Sequence, residues 1–263
     1  MMRRRGGGVT RLIVGLVIAA ISVITYLSSA EFNDVTGEKQ YISLTVDQEI
    51  ALGLQSAPEM INEYGGLYPD EEAQQVVDSI GNRLVTNSVA SDTPWPFEFY
   101  VLNDRNTLNA FALPGGQVFI TAALLNELTT EDQIAGVLAH EIVHVLARHA
   151  AQRIAKSDLS NGLVGAVGVA AGDASAAQTA AVIGQLINMQ YSRDDETESD
   201  TLGICLMVDT EYNPEAMIDV MRVLEAASTG AGQPEFFSTH PSPEHRIERI
   251  QEAIQTASQD CPS

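Results

Sequence analysis

The chain has 263 residues, of which 45% are hydrophobic, enough for one domain of good size with a short appendage. Its formal net charge is −21 at pH 7, from 14 basic and 35 acidic residues. So acidic a body repels polyanions, which argues against both nucleic acid and anionic lipid headgroups as partners. Composition leaves the oligomeric state open.

The N-terminus carries an uncharged, mostly apolar run over residues 12–27, preceded by four arginines. A single-pass membrane helix needs about 20 apolar residues, so this run with its flanks makes a thin span. The alternative is a cleaved signal peptide, with Ser28-x-Ala30 as the cleavage site. We favour the uncleaved anchor. In both cases the arginines stay in the cytoplasm and the acidic body crosses the membrane.

A polar linker is expected over residues 31–44, followed by two helices. The first should begin at Thr45, where Gln48 completes a capping box, and end near Tyr64 before two glycines. The second should begin near Asp70 and carry an apolar face. That face consists of Val76, Val77, Ile80 and Leu84. A loop over 92–96 and a strand over 97–102 complete this part of the chain.

Residues 109–120 contain two short apolar runs separated by Pro114-Gly115-Gly116, which predicts a hairpin with a tight turn. One interpretation is a structural sheet packed on the helices. The functional interpretation is that the outer strand is an unpaired edge, where an extended peptide adds by backbone hydrogen bonding. The substrate-binding candidates are then Asn109, Ala110, Phe111 and Ala112.

The run from His140 to His144 reads H-E-x-x-H within a helix predicted over residues 130–154, which begins with a capping box. Positions i and i+4 share one helix face, so the two imidazoles can bind one metal ion. Glu141, beside the first ligand, can take a proton from a metal-activated water. Residues 134–147 carry no other ionisable side chain, which indicates a buried helix. Burying polar groups without partners costs roughly 2–7 kcal/mol each, and a metal supplies the partner.

Small residues dominate the next stretch, residues 161–184. Its uninterrupted apolar part, residues 162–172, is too short to span a membrane. Two interpretations are open, a close-packed helical connection and a mobile lid.

A catalytic zinc site needs a third protein ligand. The metzincin pattern does not supply it, because Ala147 and Ala150 stand where that pattern has Gly and His. His149 would face away from the metal on a continuous helix.

The acidic segment at residues 191–200 offers candidates for the remaining ligand. Glu196 and Asp200 are spaced i and i+4, so one can bind metal while the other accepts the far N–H of a ligand histidine. Glu198 is the rival ligand. The alternative without a metal is a solvated acidic helix start, favoured by the helix dipole.

His240 precedes a helix expected to start at Ser242 with Pro243 at its first position. It is either a loop residue or a side chain facing the metal. In the second case it stabilises the oxyanion of the tetrahedral intermediate or closes the resting site as a fourth ligand. Arg246 is a second candidate for anion stabilisation, and His245 is expected at the surface.

The two cysteines, Cys205 and Cys261, do not form a C-x-x-C pair, which excludes a structural zinc ribbon. They form one disulfide in an oxidising compartment or remain two unrelated thiols.

Four motifs, taken together, resemble the zinc metallopeptidases related to CAAX prenyl endopeptidase and HtpX. More narrowly, the chain resembles their small Oma-like members that act in protein quality control at the envelope. The motifs are residues 109–116 (NAFALPGG), the H-E-x-x-H run, Ser192-Arg193-x-x-Glu196-x-Glu198-Ser199-Asp200 and Thr239-His240-Pro241.

The resemblance covers about residues 40–255. It implies one Zn²⁺ per chain, with Glu196 as third ligand beside His140 and His144, and Asp200 behind a ligand histidine. Ser199 departs from the usual Ala, a small change. The multi-pass helices of the prenyl endopeptidase are missing from the pattern, so processing of prenylated substrates is not expected.

The sequence thus predicts a mainly helical α+β zincin domain of gluzincin type with a small β-sheet, behind an N-terminal membrane segment. The expected division is a membrane segment (1–30), a linker (31–44), the metallopeptidase domain (45–258) and a tail (259–263). The expected activity is hydrolysis of unfolded or misassembled envelope polypeptides, with Glu141 as general base. The alternative is a chaperone-like assembly factor with minor proteolysis. The catalytic domain should lie outside the cytoplasm, on a single-pass inner-membrane anchor or soluble in the periplasm after signal cleavage.

Overall fold

The computed structural model describes residues 6–171, 191–228, 235–240 and 245–261. Helices dominate these residues and two small sheets accompany them, which confirms the expected mainly helical α+β fold class. The elements in chain order are α1 (Gly6–Ser28), β1 (Ala30–Asn33), β2 (Glu38–Tyr41), α2 (Val46–Glu63), α3 (Glu71–Thr86), a short 3₁₀ helix (Val89–Asp92), β3 (Glu98–Leu102), β4 (Ala110–Ala112), β5 (Gln117–Thr121), α4 (Ala122–Glu127), α5 (Glu131–Leu146), α6 (His149–Ala171), α7 (Arg193–Asp209), α8 (Ala216–Ser228), α9 (Phe236–Thr239) and α10 (Arg246–Asp260).

Helices α2 and α3 begin at the predicted caps. The Thr45 hydroxyl accepts the Gln48 N–H at 3.3 Å, and the Thr45 N–H donates to the Gln48 side chain at 2.9 Å. The Asp70 carboxylate accepts two backbone N–H groups at the start of α3. Three of the four predicted apolar positions of α3 are buried, and Val76 is partly buried. These local signals therefore placed both helices correctly.

The three-stranded sheet has the order β3-β5-β4, with β5 parallel to β3 and antiparallel to β4. The predicted hairpin is confirmed: β4 and β5 meet at Pro114-Gly115-Gly116, and the Leu113 N–H donates to Gln117 O at 2.8 Å. Gly115 has φ +91°, and a β-carbon there would lie 2.5 Å from Ile50 Cα. Only glycine allows α2 to pack so closely on this turn. In this sheet β4 is one of the two edge strands, and β3 is the other.

Helix α5 crosses the core, and every residue from Gln133 to Leu146 is buried. It packs against α3, α7, α8 and strand β4. Its predicted capping box is present, because the Thr130 hydroxyl accepts the Gln133 N–H at 3.2 Å. The motif therefore lies on a buried helix, as its apolar surroundings indicated.

The prediction that this helix continues to about Ile154 is wrong, because α5 ends at Leu146 and α6 starts at His149. Arg148 between them has φ +55°, in the left-handed region. Its guanidinium donates to Glu49 at 2.9 Å and to Glu31 at 3.0 Å. These contacts, of which the one with Glu49 is buried, hold Arg148 against the N-terminal elements, so the chain turns there.

The segment predicted as a polar linker is also structured. Strands β1 and β2 pair antiparallel, from Ala30 opposite Tyr41 to Asn33 opposite Glu38. The Asn33 side chain donates to Leu146 O at 2.8 Å, and the Gln40 side chain donates to Ala147 O at 2.9 Å. The last carbonyls of a helix have no intrahelical partner. The β1–β2 hairpin therefore caps the C-terminus of α5.

Residues 8–28 of α1 form a helix long and apolar enough to cross a membrane, in agreement with the predicted membrane segment. Helix α6 packs along α1. The first part of the predicted small-residue stretch, up to Ala171, is thus helical. Its remainder lies outside the described residues, so the choice between connection and lid stays open.

At the C-terminus, Cys205 of α7 is disulfide-bonded to Cys261, with the two Cα atoms 5.3 Å apart. Of the two interpretations of the cysteines, the disulfide is the one the structure contains. Helix α10 begins at Arg246, and the predicted start at Ser242 and Pro243 lies outside the described residues. His245 is exposed, as expected.

Candidate metal centre

The three predicted ligands converge. His140 and His144 project from one face of α5, and their Nε2 atoms lie 3.0 Å apart. Glu196 lies in the first turn of α7. Its Oε2 is 3.5 Å from Nε2 of His140, and its Oε1 is 3.5 Å from Nε2 of His144. Tetrahedral ligands about 2.1 Å from one ion are separated by about 3.4 Å. The spacing therefore suits one small cation.

His240 lies at the same centre. Its Nδ1 is 3.0 Å from Glu196 Oε1 and 3.4 Å from His140 Nε2, and its ring is fully buried. One donor atom from each of His140, His144, Glu196 and His240 falls within 4.8 Å of the others. Of the two interpretations of His240, a loop residue or a side chain facing the cluster, the structure has the second.

Several buried polar atoms at this centre have no hydrogen-bond partner among the described residues. They are both oxygens of Glu141 and Nε2 of His240. Glu141 Oε1 lies 3.5 Å from His240 Nε2, so these atoms face a common space. Unpartnered buried groups of this kind are costly. A cation and a water molecule would supply their partners, so the residues present fit a metal.

The pKa values of the two glutamates at this centre, Glu141 and Glu196, are shifted in opposite directions. Burial raises the pKa of Glu141, and the nearby His240 and His140 offset this only in part. Burial acts the same way on Glu196, but His240 and the hydrogen bonds from three imidazoles together hold the pKa of Glu196 well below its usual value. The ionised form is thus favoured at Glu196, as a metal ligand requires, whereas Glu141 is suited to exchange a proton.

Asp200 lies behind the first ligand, as its spacing predicted. Its carboxylate is 2.9 Å from His140 Nδ1 and receives two bonds from Arg246, from Nε and Nη2, each at 2.8 Å. Accepting the proton of Nδ1 leaves Nε2 of His140 unprotonated toward the metal. Arg246 Nη1 also lies 3.2 Å from Glu196 Oε2. The guanidinium, predicted to stabilise an anion, is thus engaged by two carboxylates of the protein itself.

His149 lies beside His144, and the prediction that it faces away is wrong. The turn at Arg148 brings its Nδ1 to 2.9 Å from Nδ1 of His144. Its Nε2 lies 2.8 Å from Glu198 Oε2. A carboxylate accepts here, so Nε2 of His149 carries the proton and Nδ1 accepts from His144 Nδ1–H. Nε2 of His144 is then free to bind metal.

The same contacts give Glu198 a partner other than a metal. Its carboxylate faces His149 and does not belong to the four-residue cluster. We call the contacts from His144 through His149 to Glu198 a relay. Sequence spacing could not predict this relay, because it depends on the left-handed conformation of Arg148, which is held by residues distant in the chain. Tyr191, which stacks on the His144 ring with centroids 3.9 Å apart, was also missed.

The predicted substrate-binding strand borders a small cavity beside this centre. Phe111, Ala112 and Leu113 line one wall, and Tyr64 and Tyr191 line others. The Asn109 amide donates to the Tyr64 hydroxyl at 3.2 Å and to the Glu235 carboxylate at 3.3 Å. Among the described strands, β4 pairs only with β5, so its other edge is free of strand pairing.

Comparison with known proteins assigns the family. The family model described as peptidase family M48 matches residues 71–254. The chain belongs to peptidase family M48. The expected metallopeptidase class is thereby confirmed, together with the resemblance on which it was based.

Curated M48 relatives come from mitochondria and bacteria. The mitochondrial metalloendopeptidase OMA1 of Schizosaccharomyces pombe is 32% identical over 248 residues, covering 93% of this chain and 72% of the relative. The beta-barrel assembly-enhancing protease of Escherichia coli is 31% identical over 255 residues, covering 91% of this chain and 50% of the relative. A putative protein of the same name from Vibrio cholerae is 31% identical over 250 residues. This chain spans about half the length of these bacterial relatives.

Proposed function

We propose that this M48 protein is a zinc-dependent endopeptidase that hydrolyses unfolded or misassembled polypeptides of the cell envelope. The observation that carries the proposal is Glu141, a buried carboxylate with both oxygens unpartnered and facing a cluster of metal-ligating side chains. A structural metal site needs ligands but has no use for such a base.

The residues that would hold zinc are His140, His144 and Glu196. Two imidazoles and one carboxylate form the donor set of many catalytic zinc sites, which keep a fourth position for water or substrate. Asp200 and His149 fix the tautomers of the two imidazoles. Bound zinc supplies Lewis-acid activation of water and of the scissile carbonyl.

Glu141 is the proposed general base. It accepts a proton as water attacks the scissile carbonyl, and it donates a proton to the leaving nitrogen. Its raised pKa suits both halves of this exchange. Arg246 is better placed to position Asp200 and Glu196 than to contact substrate.

His240 faces both Glu141 and Glu196 and is proposed to act at the fourth position. In the described arrangement it fills the space that a substrate carbonyl needs, which corresponds to a resting site closed by its own histidine. Displaced slightly, its ring can donate a hydrogen bond to the oxyanion that forms on the carbonyl.

The free edge of β4 is the proposed binding site for the substrate backbone. An extended segment that adds there is read through main-chain hydrogen bonds, which suits unfolded polypeptides of varied sequence. The apolar α1 and the disulfide support a location outside the cytoplasm, behind a membrane anchor. A soluble periplasmic form after signal cleavage is the alternative.

An assembly factor with minor proteolysis is the second candidate. What favours it is the name of the bacterial relatives, which combines protease with assembly enhancement. The chain aligns with only half of each of those proteins. This candidate therefore requires that the matched half takes part in the assembly-enhancing activity.

The test replaces Glu141 with Gln and compares it with Glu131→Gln, an exposed position on the same helix. We expect Glu141→Gln to keep about one zinc per chain by elemental analysis and to lose cleavage of unfolded casein, with a fall on the order of a hundredfold or more. Glu131→Gln should keep both. Undiminished cleavage by Glu141→Gln would refute the mechanism, and lost zinc would show that Glu141 binds the metal.

A further inference from the structure

Helices α1 and α6 are in very close contact at two points. A β-carbon on Gly15 would lie 2.7 Å from the carbonyl oxygen of Ala166, and one on Gly162 would lie 2.2 Å from the Ser22 hydroxyl. Residues further along α1 thus meet residues earlier in α6, so the helices are antiparallel. At Gly15 the neighbouring backbone occupies the place of a side chain, and at Gly162 a side chain would have to displace Ser22.

These contacts fix how far α6 follows the membrane helix. Ser22 is six residues before the end of α1 at Ser28, or about 9 Å at 1.5 Å per residue. Gly15 is thirteen residues before it, or about 20 Å. The hydrocarbon core of a bilayer is about 30 Å thick. If α1 spans the bilayer, the part of α6 from Gly162 to Ala166, which lies beside it, is therefore at the depth of the hydrocarbon core.

The charge distribution along α6 agrees with this placement. Its last charged residue before the contacts is Asp158, which faces Ser43 and borders a cavity with Ser29 at the outer end of α1. From Leu159 to Ala171 no residue carries a charge. Asp158 thus lies level with the outer end of α1, and the uncharged part of α6 continues from there along α1.

The exposure of the side chains is the reverse of that in a water-soluble helix. Small residues face the partner helix, and Leu163 and Val164 face outward with 38% and 69% exposure. A helix in water keeps apolar side chains inside and charged ones outside. Paired helices in lipid show the opposite pattern, with small residues at the contact between the helices and larger apolar residues facing the lipid.

We infer that residues 162–170 of α6 enter the outer half of the bilayer beside α1, so that the protein contacts lipid hydrocarbon through two helices. This segment is too short to span a membrane, but it needs no span of its own, since it packs along a helix that has one. The inference rests on the membrane role proposed for α1 and is independent of peptidase activity. The occupant of this face is hydrocarbon, because residues 162–170 consist of glycine, alanine, valine and leucine alone and offer no charged or polar side chain.

Tryptophan probes test the depth directly in the full-length protein, reconstituted in phosphatidylcholine vesicles with and without brominated acyl chains. Val164→Trp reports the outward face of α6, Lys156→Trp its part above Asp158, and Leu16→Trp the exposed face of α1. The single native tryptophan is subtracted with the unsubstituted protein.

We expect brominated lipid to lower the emission of Val164→Trp and of Leu16→Trp at least about twofold and to leave that of Lys156→Trp unchanged. Quenching of Leu16→Trp without quenching of Val164→Trp would overturn the inference while leaving the anchor intact. If brominated lipid quenches neither Val164→Trp nor Leu16→Trp, α1 is not in the membrane and the inference loses its premise. Casein cleavage measured on the same samples would still report the proposed activity.

A matched glycine pair tests the packing. Gly162→Val places a side chain against Ser22, whereas a β-carbon on Gly165 meets nothing within 4 Å. In the Val164→Trp background, Gly162→Val should reduce quenching by lipid at least about twofold, and Gly165→Val should leave it unchanged. Equal quenching in both variants would show that the close contact with α1 does not hold α6 in the bilayer.

Discussion

His149 is where the structure predicts a measurable effect that the sequence did not. Its Nδ1 accepts from His144, and its Nε2 is held by Glu198. Replacing His149 with Leu removes the acceptor and leaves the N–H of His144 buried and unsatisfied. His144 can then adopt the wrong tautomer, with the proton on the nitrogen that should bind metal.

Two independent magnitudes agree for this change. A buried donor left without its acceptor costs about 1–3 kcal/mol. Loss of the partner behind a metal-ligating histidine costs about 10–100-fold in metal affinity, or about 1.4–2.8 kcal/mol. We therefore expect the zinc dissociation constant of His149→Leu to rise about 10–100-fold.

The assay is zinc competition against a chromophoric chelator at fixed pH, with far-UV circular dichroism to show that the helices are retained. Two variants serve as controls. His149→Asn keeps an acceptor near the position of Nδ1 and should recover much of the affinity. Asp194→Ala removes an exposed acidic group from the same helix as Glu198 and should have no effect. Wild-type affinity in His149→Leu would refute the proposed relay.

The remaining predictions concern stability. Arg148→Ala leaves the buried Glu49 without its counter-charge and should lower the free energy of unfolding by about 3–5 kcal/mol in a urea titration. A β-carbon on Gly53 would lie 1.9 Å from the backbone oxygen of Pro114. Gly53→Ala should therefore lower the free energy of unfolding by about 1–3 kcal/mol and lower the midpoint of thermal unfolding. An unchanged midpoint would show that α2 can move away from Pro114 without cost. Reducing the disulfide, which closes a loop of 56 residues, should cost about 4 kcal/mol, and Cys205→Ala should then make stability insensitive to reductant.

Local signals carried most of what the sequence predicted correctly. Capping boxes at Thr45 and Thr130 place two helix starts, because the bonds form within four residues. The i and i+4 spacing of the H-E-x-x-H histidines places their side chains on one helix face, which needs no knowledge of the rest of the fold. The convergence of Glu196 from a different helix is a tertiary fact, and there the spacing left Glu198 as an alternative.

The errors lie where distant contacts override local preference. Nothing near Ala147 ends the helix by sequence, yet Arg148 is held by Glu49 and Glu31, which are 99 and 117 residues away in the chain. That turn also decides the orientation of His149, so one missed contact produced two wrong predictions. The polar composition of residues 31–44 similarly concealed a hairpin whose side chains pair with carbonyls of α5.

The β1–β2 hairpin decides where the protein can be shortened for crystallisation or kinetics in aqueous buffer. A form beginning at residue 45, the expected domain start, would remove Asn33 and Gln40 together with the carboxylate of Glu31. Carbonyls at the end of the H-E-x-x-H helix would lose their donors, and the guanidinium of Arg148 would lose one of its two carboxylates. A form that begins just before Ala30 discards the apolar helix and keeps every one of these contacts.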